Sequence, residues 1–460
     1  MSVGQNKDYS TESEAVVVAH ARTLVGRTLR DLYGDDVDPV RGKGAFGQLV
    51  ELVHFGYEPN TVPGPDFRVA RLELKATGAE RKSMGWRAKE RLVLSNINYR
   101  GLAEETDFRA STFYLKNARL LIVVYHWVAG QGPSDYRVVG VGVVEIDLLD
   151  PSDRAIIEDD WDKIRLAVIQ GRAHELSEAD TNYLKATRKG AGTGRDDRSQ
   201  PNSSIPAPNR AYSFKQSFLT RLIQPFLAAQ PGPRADEASI VLDARQLQAK
   251  TFDDLVLDRF RRFTGHTVEE IAAVVDPTLN RQAKGFYADL ARRMLDVKTR
   301  RIEEFEKADV VMKIVRVKGN GQPAEAMSFP AFRYRDLASQ TWMESDLREL
   351  LTKRFLFVFF QEASGTIRFH HATFWAMPET LLDGEVRQVW EDTVDRIASG
   401  RSERLPGSSG SSVLHVRPHA RNAADTDLTP SGQRLVKQSF WLNRGFIGGI
   451  FHMSAKAEGL

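Results

Sequence analysis

Pro65-Asp66-Phe67-Arg68-Val69-Ala70-Arg71-Leu72-Glu73-Leu74-Lys75 is the stretch from which the fold and the chemistry of this chain are interpreted. From Arg71 to Lys75, apolar and polar residues alternate, which is the period of a strand with one apolar and one polar face. Glu73 and Lys75 therefore project from the same face. Asp66 lies in a turn-forming segment rich in proline and glycine, so we expect its carboxylate to meet Glu73 across a narrow gap.

Two carboxylates beside one ammonium group suit the hydrolysis of a phosphodiester. Carboxylate oxygens hold Mg²⁺, and the ion polarises the phosphate and lowers the pKa of its bound water. The ammonium group of Lys75 would orient that water and offset negative charge. The pattern Asp-x6-Glu-x-Lys is weak by itself, because Glu-x-Lys also occurs in ordinary solvent-facing strands. The neighbouring sequence has to decide between a nuclease centre and a plain surface strand.

Two flanking segments supply further polar groups. Upstream, Lys43-Gly44-Ala45-Phe46-Gly47-Gln48-Leu49-Val50-Glu51 carries apolar residues at helical spacing. Glu51 falls about one turn beyond Gly47, so it could present a third carboxylate to the same metal ion. Downstream, Lys116 precedes the apolar run 120–125, which is typical of a central strand. These segments favour the nuclease interpretation.

Length and composition bound the class of protein. A chain of 460 residues exceeds one typical core and predicts two or three domains. The apolar runs are too short for a membrane span and the N-terminus lacks the apolar core of a signal peptide, so we expect a cytoplasmic protein with no membrane partner. The absence of cysteine excludes disulfides and thiolate metal sites. A net charge of +3 permits nucleic-acid binding without requiring it.

Periodic segments predict the elements around the centre. Residues 11–33 predict one amphipathic helix, and residues 89–94 predict a second strand of the catalytic sheet. Asp150 is the predicted cap of a helix that runs to about Gln170. Residues 190–210, rich in Gly, Ser, Pro and Asn, predict a long loop that we expect to become ordered on DNA.

The second half of the chain repeats the first, faintly but in order. The matched pairs are 43–49 with 284–290, 71–75 with 309–313, Arg119 with Arg354, Trp161 and Gly171 with Trp390 and Gly400, and Lys215-Gln216-Ser217-Phe218 with the identical 437–440. The offset falls steadily from 241 (43 to 284) to 222 (215 to 437). One colinear alignment therefore explains all the matches.

The second copy lacks the acids of the first. Val311 stands where the first copy has Glu73, and Arg292 stands where it has Glu51. A metal site cannot be built from these replacements. We therefore predict a catalytic domain over residues 1–229, a linker over 230–238, and a degenerate copy over 239–460 that binds DNA or docks on the first copy.

The combination of Lys-Gly-x-x-Gly-Gln-x-x-Glu, Asp-x6-Glu-Leu-Lys and a basic residue before an apolar strand resembles the MutH-type endonucleases of the PD-(D/E)xK superfamily. With its degenerate repeat, nearly the whole chain resembles the tandem-repeat type II restriction endonucleases that cut GATC. Further segments that carry the likeness are 89–94, 97–99, 174–178, 183–184, 189–191, 327–329, 415–419 and 437–441. The resemblance implies an α/β fold of two tandem MutH-like domains, each a mixed sheet flanked by helices.

The resemblance also implies an activity and its residues. It implies a Mg²⁺-dependent type II restriction endonuclease that cleaves double-stranded DNA at a short palindrome, expected to be GATC. The second copy would bind another site as an allosteric effector, in a dimeric or looped complex, and a cognate DNA methyltransferase would protect the host genome. By motif position, the metal ligands would be Asp66 and Glu73, the catalytic lysine Lys75, the accessory acid Glu51 and the catalytic-support residue Lys116.

Base recognition is assigned by the same resemblance. The family places a loop after its Tyr-Leu strand in the major groove, where a lysine suits the O6 and N7 acceptors of guanine. The residues at this loop and its counterpart in the second copy are Lys189, Arg188, Thr187, Tyr212, Arg417 and His419. His419 fits a solvated loop histidine equally well.

Two other functions are compatible with the sequence. A mismatch-repair-type nicking endonuclease would use the same centre, although strand-selective nicking needs only one copy of the domain. A catalytically inert DNA-binding protein would use two copies without chemistry, although the intact set of Asp66, Glu73 and Lys75 opposes this.

Overall fold

A computed structural model describes residues 7–35, 37, 42, 44–58, 64–82, 85–190, 194–227 and 236–460. The chain divides into two compact units, which are Met1–Thr251 with Glu303–Asp309, and Phe252–Ile302 with Val310–Leu460. Most of the predicted linker, together with Lys43 and the loop tip 191–193, lies outside the described residues. Within the described ranges, no helix has the length and apolarity needed to cross a membrane.

The elements up to Thr251 form a mixed α/β unit. The helices are α1 (Glu14–Arg22), α2 (Leu29–Tyr33), α3 (Ala45–Leu49), α4 (Tyr99–Glu104), α5 (Thr112–Asn117), α6 (Pro151–Ile169), α7 (Gln216–Ile223) and α8 (Gln246–Ala249), and a π-helix spans Val50–His54. The strands are β1 (Glu73–Lys82), β2 (Gly85–Ala88), β3 (Leu92–Asn96), β4 (Arg119–His126), β5 (Arg137–Glu145), β6 (Leu184–Arg188), β7 (Arg210–Phe214) and β8 (Glu237–Ala238).

The elements after Thr251 follow the same α/β pattern. The helices are α9 (Phe252–Arg261), α10 (Val268–Val275), α11 (Phe286–Met294), α12 (Glu303–Ala308), α13 (Tyr334–Ser339), α14 (Asp346–Leu351), α15 (Glu379–Leu381), α16 (Arg387–Ala398) and α17 (Arg444–Ala457). The strands are β9 (Arg301–Ile302), β10 (Val310–Val317), β11 (Met327–Ser328), β12 (Arg354–Ala363), β13 (Thr366–Trp375), β14 (Leu414–Pro418), β15 (Thr426–Leu428), β16 (Arg434–Val436) and β17 (Gln438–Leu442). The predicted fold class is confirmed.

Two sheets build the first unit. The larger has the order β2-β1-β4-β5, in which β1 and β4 run parallel and the other pairs are antiparallel. Residues 120–124 of β4 are fully buried, which confirms the predicted central strand. The smaller sheet has the order β3-β7-β6. The prediction that residues 89–94 join the catalytic sheet was wrong, because β3 bonds to β7 instead.

The second unit repeats the strand register of the first. Glu73 lies opposite Leu120 in the parallel pair β1 and β4, and its aligned residue Val311 lies opposite Phe355 in β10 and β12. The following antiparallel pair contains an irregularity between Val124 and Tyr125 in the first unit and between residues 359 and 360 in the second. Since these are aligned positions, the structure confirms the internal repeat.

The N-terminal segment is not the single helix that its periodicity predicts. Helix α1 ends at Arg22 and α2 begins at Leu29. Between them Gly26 adopts φ 82°, and its N–H donates to the carbonyl of Val138. The second unit has the same break, where Gly265 adopts φ 79° and its N–H donates to the carbonyl of Phe369. Glycine accommodates this left-handed backbone without steric cost, and the bond to the sheet ends the helix.

One match of the predicted repeat was wrong. Lys215-Gln216-Ser217-Phe218 starts helix α7, whereas the identical letters 437–440 lead into strand β17. Residue pairing gives the true correspondence: Leu184 faces Phe214 in the first unit, and Leu414 faces Leu442 in the second. Sheet register overrides a short identical segment, because one slipped residue turns every side chain to the other face.

Helix α12 belongs to the first unit, although it lies in the second half of the sequence. Lys307 Nζ lies 2.7 Å from both carboxylate oxygens of Asp153 on α6. Ser217 Oγ donates to the carbonyl of Lys307 at 2.7 Å, and Lys215 Nζ donates to the carbonyl of Ala308 at 3.1 Å. These contacts complete the packing around α6 and α7.

Candidate active site

A tight turn carries Asp66 back to the start of β1. The backbones of Phe67 and Leu72 exchange hydrogen bonds of 2.9 and 3.2 Å. Arg71 closes the turn in a left-handed conformation with φ 52°. Asp66 Oδ2 consequently accepts a hydrogen bond of 2.9 Å from the N–H of Leu74. This places the Asp66 carboxylate at the start of β1, the strand that carries Glu73 and Lys75.

Glu73 is a buried carboxylate held between two lysines. Its side chain is 3% exposed, and its Oε1 lies 2.7 Å from Lys75 Nζ and 3.5 Å from Lys116 Nζ. Its other oxygen, Oε2, is buried and has no hydrogen-bond partner. Burial raises the pKa of Glu73, and the nearby Lys75 opposes that rise. A buried carboxylate oxygen without a partner is costly unless a ligand satisfies it.

Glu51 lies on the π-helix Val50–His54, next to the same carboxylates. Burial raises the pKa of Glu51 to about 7, and the negative charges of Asp66 and Glu73 add to the rise. Lys75 and Lys116 act in the opposite direction. Single-turn π-helices are common at functional sites. The structure therefore gathers all five predicted catalytic residues around the start of β1.

Tyr57 is a neighbour of this centre that the sequence did not indicate. It is 7% exposed, and its hydroxyl is buried without a hydrogen-bond partner. Burial, followed by the charges of Asp66, Glu51 and Glu73, raises the pKa of Tyr57. Nothing in its spacing relative to the motif would have identified it, since it lies in the connection after the π-helix.

The donor set suits a hard divalent cation that also binds substrate. Among the described residues, no group of three or more His, Asp or Glu side chains is arranged to hold a metal ion. Mg²⁺ is usually bound through one or two carboxylates, with waters and substrate phosphates completing its shell. Asp66 and the unsatisfied Oε2 of Glu73 supply such a pair.

Comparison with known proteins identifies the family. The type II restriction enzyme Sau3AI of Staphylococcus aureus is 30% identical over 479 residues, which cover 93% of this chain and 96% of that enzyme. The chain belongs to the MutH-like type II restriction endonucleases. It is therefore a site-specific deoxyribonuclease that acts on double-stranded DNA.

The match to MutH lies within the first unit of this restriction endonuclease. The family model of the DNA mismatch repair enzyme MutH matches residues 55–160, which include Asp66, Glu73, Lys75 and Lys116. The DNA mismatch repair protein MutH of Shigella flexneri is 26% identical over 43% of this chain and 91% of its own length. MutH of Enterobacter sp. (strain 638) is 26% identical over 43% of this chain and 90% of its own length.

The predicted DNA-reading residues of the restriction endonuclease divide into exposed and buried ones. Lys189 is exposed, and its Nζ donates to Asn96 Oδ1 at 2.8 Å. Arg188 is half-buried at the end of β6. Thr187 is buried against Ser213, and Tyr212 packs against Phe113 with ring centroids 4.8 Å apart. This burial corrects the predicted contact set, because neither Thr187 nor Tyr212 presents its side chain to a duplex.

The second unit of the restriction endonuclease exposes both of its predicted reading residues. Arg417 lies over the ring of Trp441 at 4.1 Å, and His419 Nδ1 lies 3.0 Å from the carbonyl of Phe329. The backbone N–H groups of Lys189 and His419 make equivalent bonds, to the carbonyls of residues 209 and 437. His419 is thus the structural counterpart of Lys189.

Proposed function

We propose that this restriction endonuclease cleaves GATC in a Mg²⁺-dependent reaction catalysed by its first unit, and that its second unit binds another GATC site as an effector. The observation that carries the catalytic assignment is the buried Glu73 carboxylate, which has one oxygen between Lys75 and Lys116 and the other oxygen free. The effector assignment is supported by a second unit with the same fold and with Val311 in place of Glu73.

Asp66 and Glu73 are the residues that would hold the cation. When bound, Mg²⁺ would supply positive charge to the scissile phosphate and lower the pKa of a water molecule. Lys75 Nζ, fixed 2.7 Å from Glu73, would orient the attacking water. Lys116 would offset the charge that develops on the phosphate. Glu51, which lies next to these carboxylates on the π-helix, would be the accessory acid of the centre.

The catalytic assignment is tested by Glu73→Ala. Cleavage should be lost, while binding to a GATC duplex in Ca²⁺ should persist, because Glu73 acts on the reaction and not on the DNA contacts. Val311→Ala, at the aligned position of the second unit, is the matched control and should retain cleavage. Loss of folding in Glu73→Ala, measured by circular dichroism, would instead indicate a structural role for the Glu73–Lys75 pair.

The effector assignment is tested by digestion of unmethylated plasmids that carry one or two GATC sites. Mapped ends at GATC, with faster cutting of the two-site plasmid, are the expected result. Ends at another sequence would support the nuclease activity and contradict the proposed GATC specificity. Equal rates on both plasmids would overturn the effector role, and nicking of a single strand would favour a mismatch-repair-type activity.

The remaining parts of the proposal concern the domains and partners. We propose a nuclease domain over 1–229 that is completed by α12, a linker over 230–238 and an effector domain over the rest of 239–460, with two DNA sites held in a looped or dimeric complex. The host genome would be protected by a cognate methyltransferase. Digestion of GATC plasmids methylated at adenine or at cytosine identifies the modification that blocks cutting.

A further inference from the structure

Lys313 is the second-unit counterpart of Lys75, but its surroundings differ. Lys75 Nζ pairs with Glu73 at 2.7 Å, whereas the residue two before Lys313 is Val311. In the described part of the chain, the side chain of Lys313 makes no hydrogen bond or ion pair, and its Nζ lies 5.9 Å from the ring centre of Phe329. The second copy has thus kept this lysine, while Val311 replaces Glu73 and the carboxylate aligned with Asp66, Glu304, is bound to the N–H groups of Ile240 and Val241.

A largely buried ammonium group without a counterion is energetically unfavourable. Burial lowers the pKa of Lys313, because the charged form loses hydration that no carboxylate replaces. A methionine of similar length would fill the same space without this cost. Unfavourable buried charges that persist are frequently part of a binding or catalytic site. An anionic ligand would supply the missing partner.

The cavity at Lys313 is built for an anion. It has a volume of 340 Å³, and its charged lining residues are Lys284, Lys313, Arg316 and Glu325. Lys284 is exposed just before helix α11, and its side chain makes no ion pair within the described part of the chain. Glu325 pairs with Arg316 at 3.6 Å, and solvent screens this pair because the two side chains are 79% and 52% exposed.

We propose that this cavity is a metal-independent phosphodiester-binding site, in which Lys313 and Lys284 receive a backbone phosphate of the effector duplex. The proposal rests on the proposed effector function and names the site that performs it. The first unit pairs its lysines with carboxylates that need a metal ion before a phosphate can approach. In the second unit the same position is cationic without a metal ion, so it binds phosphate and leaves the phosphodiester intact.

The salt dependence of DNA binding tests the site directly. Full-length protein is titrated with a labelled GATC duplex in EDTA at several salt concentrations, and the weaker and tighter binding phases are resolved. Each phosphate contact contributes about 0.9 to the slope of log K against log salt. Lys313→Met should lower the slope of one phase by about 0.9, and Lys313→Arg should preserve it. The matched control is Lys318→Met, which removes an exposed lysine from the same segment and should lower neither slope as much.

Chemical protection of Lys313 separates DNA from free phosphate. Acylation of Lys313 by an amine-reactive reagent is quantified by mass spectrometry, alone, with inorganic phosphate and with a GATC duplex. Strong protection by the duplex and weak protection by phosphate support the proposal. Protection by phosphate without protection by the duplex overturns the DNA assignment. Equal reactivity under all three conditions overturns the anion site.

These readouts are independent of two-site stimulation. If the two-site plasmid is cut no faster but the duplex protects Lys313, the site stands and the effector role fails. If stimulation is present and Lys313 is neither protected nor required for the salt slope, the effector role stands and this site is wrong.

Discussion

The two units preserve the same structural ion pair and differ in their catalytic charges. Arg119 at the start of β4 binds Glu14 at 2.8 Å, and Arg354 at the start of β12 binds Asp253 at 2.7 Å. Each pair joins a central strand to the first helix of its unit. In contrast, Glu73 is replaced by Val311 at matching strand register. The ion pair between strand and helix is therefore retained in both copies, while the carboxylate of the proposed catalytic centre is retained in one.

The largest expected effect tests whether the second unit can be made catalytic. Glu73→Ala should slow cleavage by about 10³-fold, and adding Val311→Glu should not restore it. The residue aligned with Asp66 is Glu304, whose oxygens accept hydrogen bonds from the N–H groups of Ile240 and Val241 at 3.0 and 2.9 Å. Because Glu304 is held by these bonds, Val311→Glu should gain no second metal ligand, and plasmid cleavage by the double variant Glu73→Ala, Val311→Glu tests this expectation. Recovered cutting would break the distinction between the units.

The structural ion pairs should differ in strength. Arg354 is 8% exposed and Arg119 is 24% exposed. Arg354→Met should cost about 3 kcal/mol of unfolding free energy, because it removes the guanidinium group that pairs with the partly buried carboxylate of Asp253. Arg119→Met should cost less, since water screens that pair more. Urea unfolding of both variants gives the two values, and equal costs would contradict the dependence on burial.

Each unit contains a buried histidine that should make its stability depend on pH. Burial lowers the pKa of His54 and of His371 to about 4. The unfolded value is about 6.5, so between the two values the unfolded state binds more protons and stability rises with pH. Each histidine should therefore cost about 2 kcal/mol as the pH falls from 6.5 to 5.

The matched variants His54→Gln and His371→Gln isolate these contributions. The difference in unfolding free energy between wild type and variant should change with pH in this window, and the two differences should be similar. A difference that stays constant from pH 6.5 to 5 would show that the histidine in question is not buried neutral.

The smallest effect concerns a helix cap present in both units. The side chains of Thr28 and Thr267 each accept a hydrogen bond from the backbone N–H of the third residue of the helix that follows. The carboxylates of those third residues, Asp31 and Glu270, in turn accept a bond from the backbone N–H of the threonine. Thr28→Ala and Thr267→Ala should each cost about 1 kcal/mol. Urea unfolding monitored by circular dichroism measures both, and clearly unequal costs would mean that the caps are not equivalent.

Local patterns predicted much of the catalytic centre. The alternation at Glu73 and Lys75 and the apolar run of β4 are properties of single strands, and the structure contains both strands as expected. The carboxylates and lysines meet because a short turn and one parallel strand pair bring them together. These contacts span few elements, so spacing along the chain was sufficient.

Contacts between segments that are distant in the sequence determine the placements that the sequence did not predict. Residues 89–94 have the composition of a strand, but only their bonds to β7 assign them to the smaller sheet. The resemblance assigned Tyr212 to the DNA-reading loop, whereas its ring lies in the core against Phe113. Tyr57 joins the centre through the path of the chain after the π-helix. Such placements depend on tertiary partners and leave no periodic signal.

The position of α12 means that the first copy is not one continuous stretch of the sequence. The chain leaves the first unit after Thr251, returns to it at Glu303 and leaves again after Asp309, so the first unit is built from two separate segments of the sequence. A protease cut between residues 236 and 251 would sever the backbone while α12 still anchors the later fragment through Lys307 and Asp153. The two fragments should then elute together until denaturant releases them. A gene truncated at residue 229 would encode an unfinished first copy, with the Asp153 carboxylate buried and its partner missing.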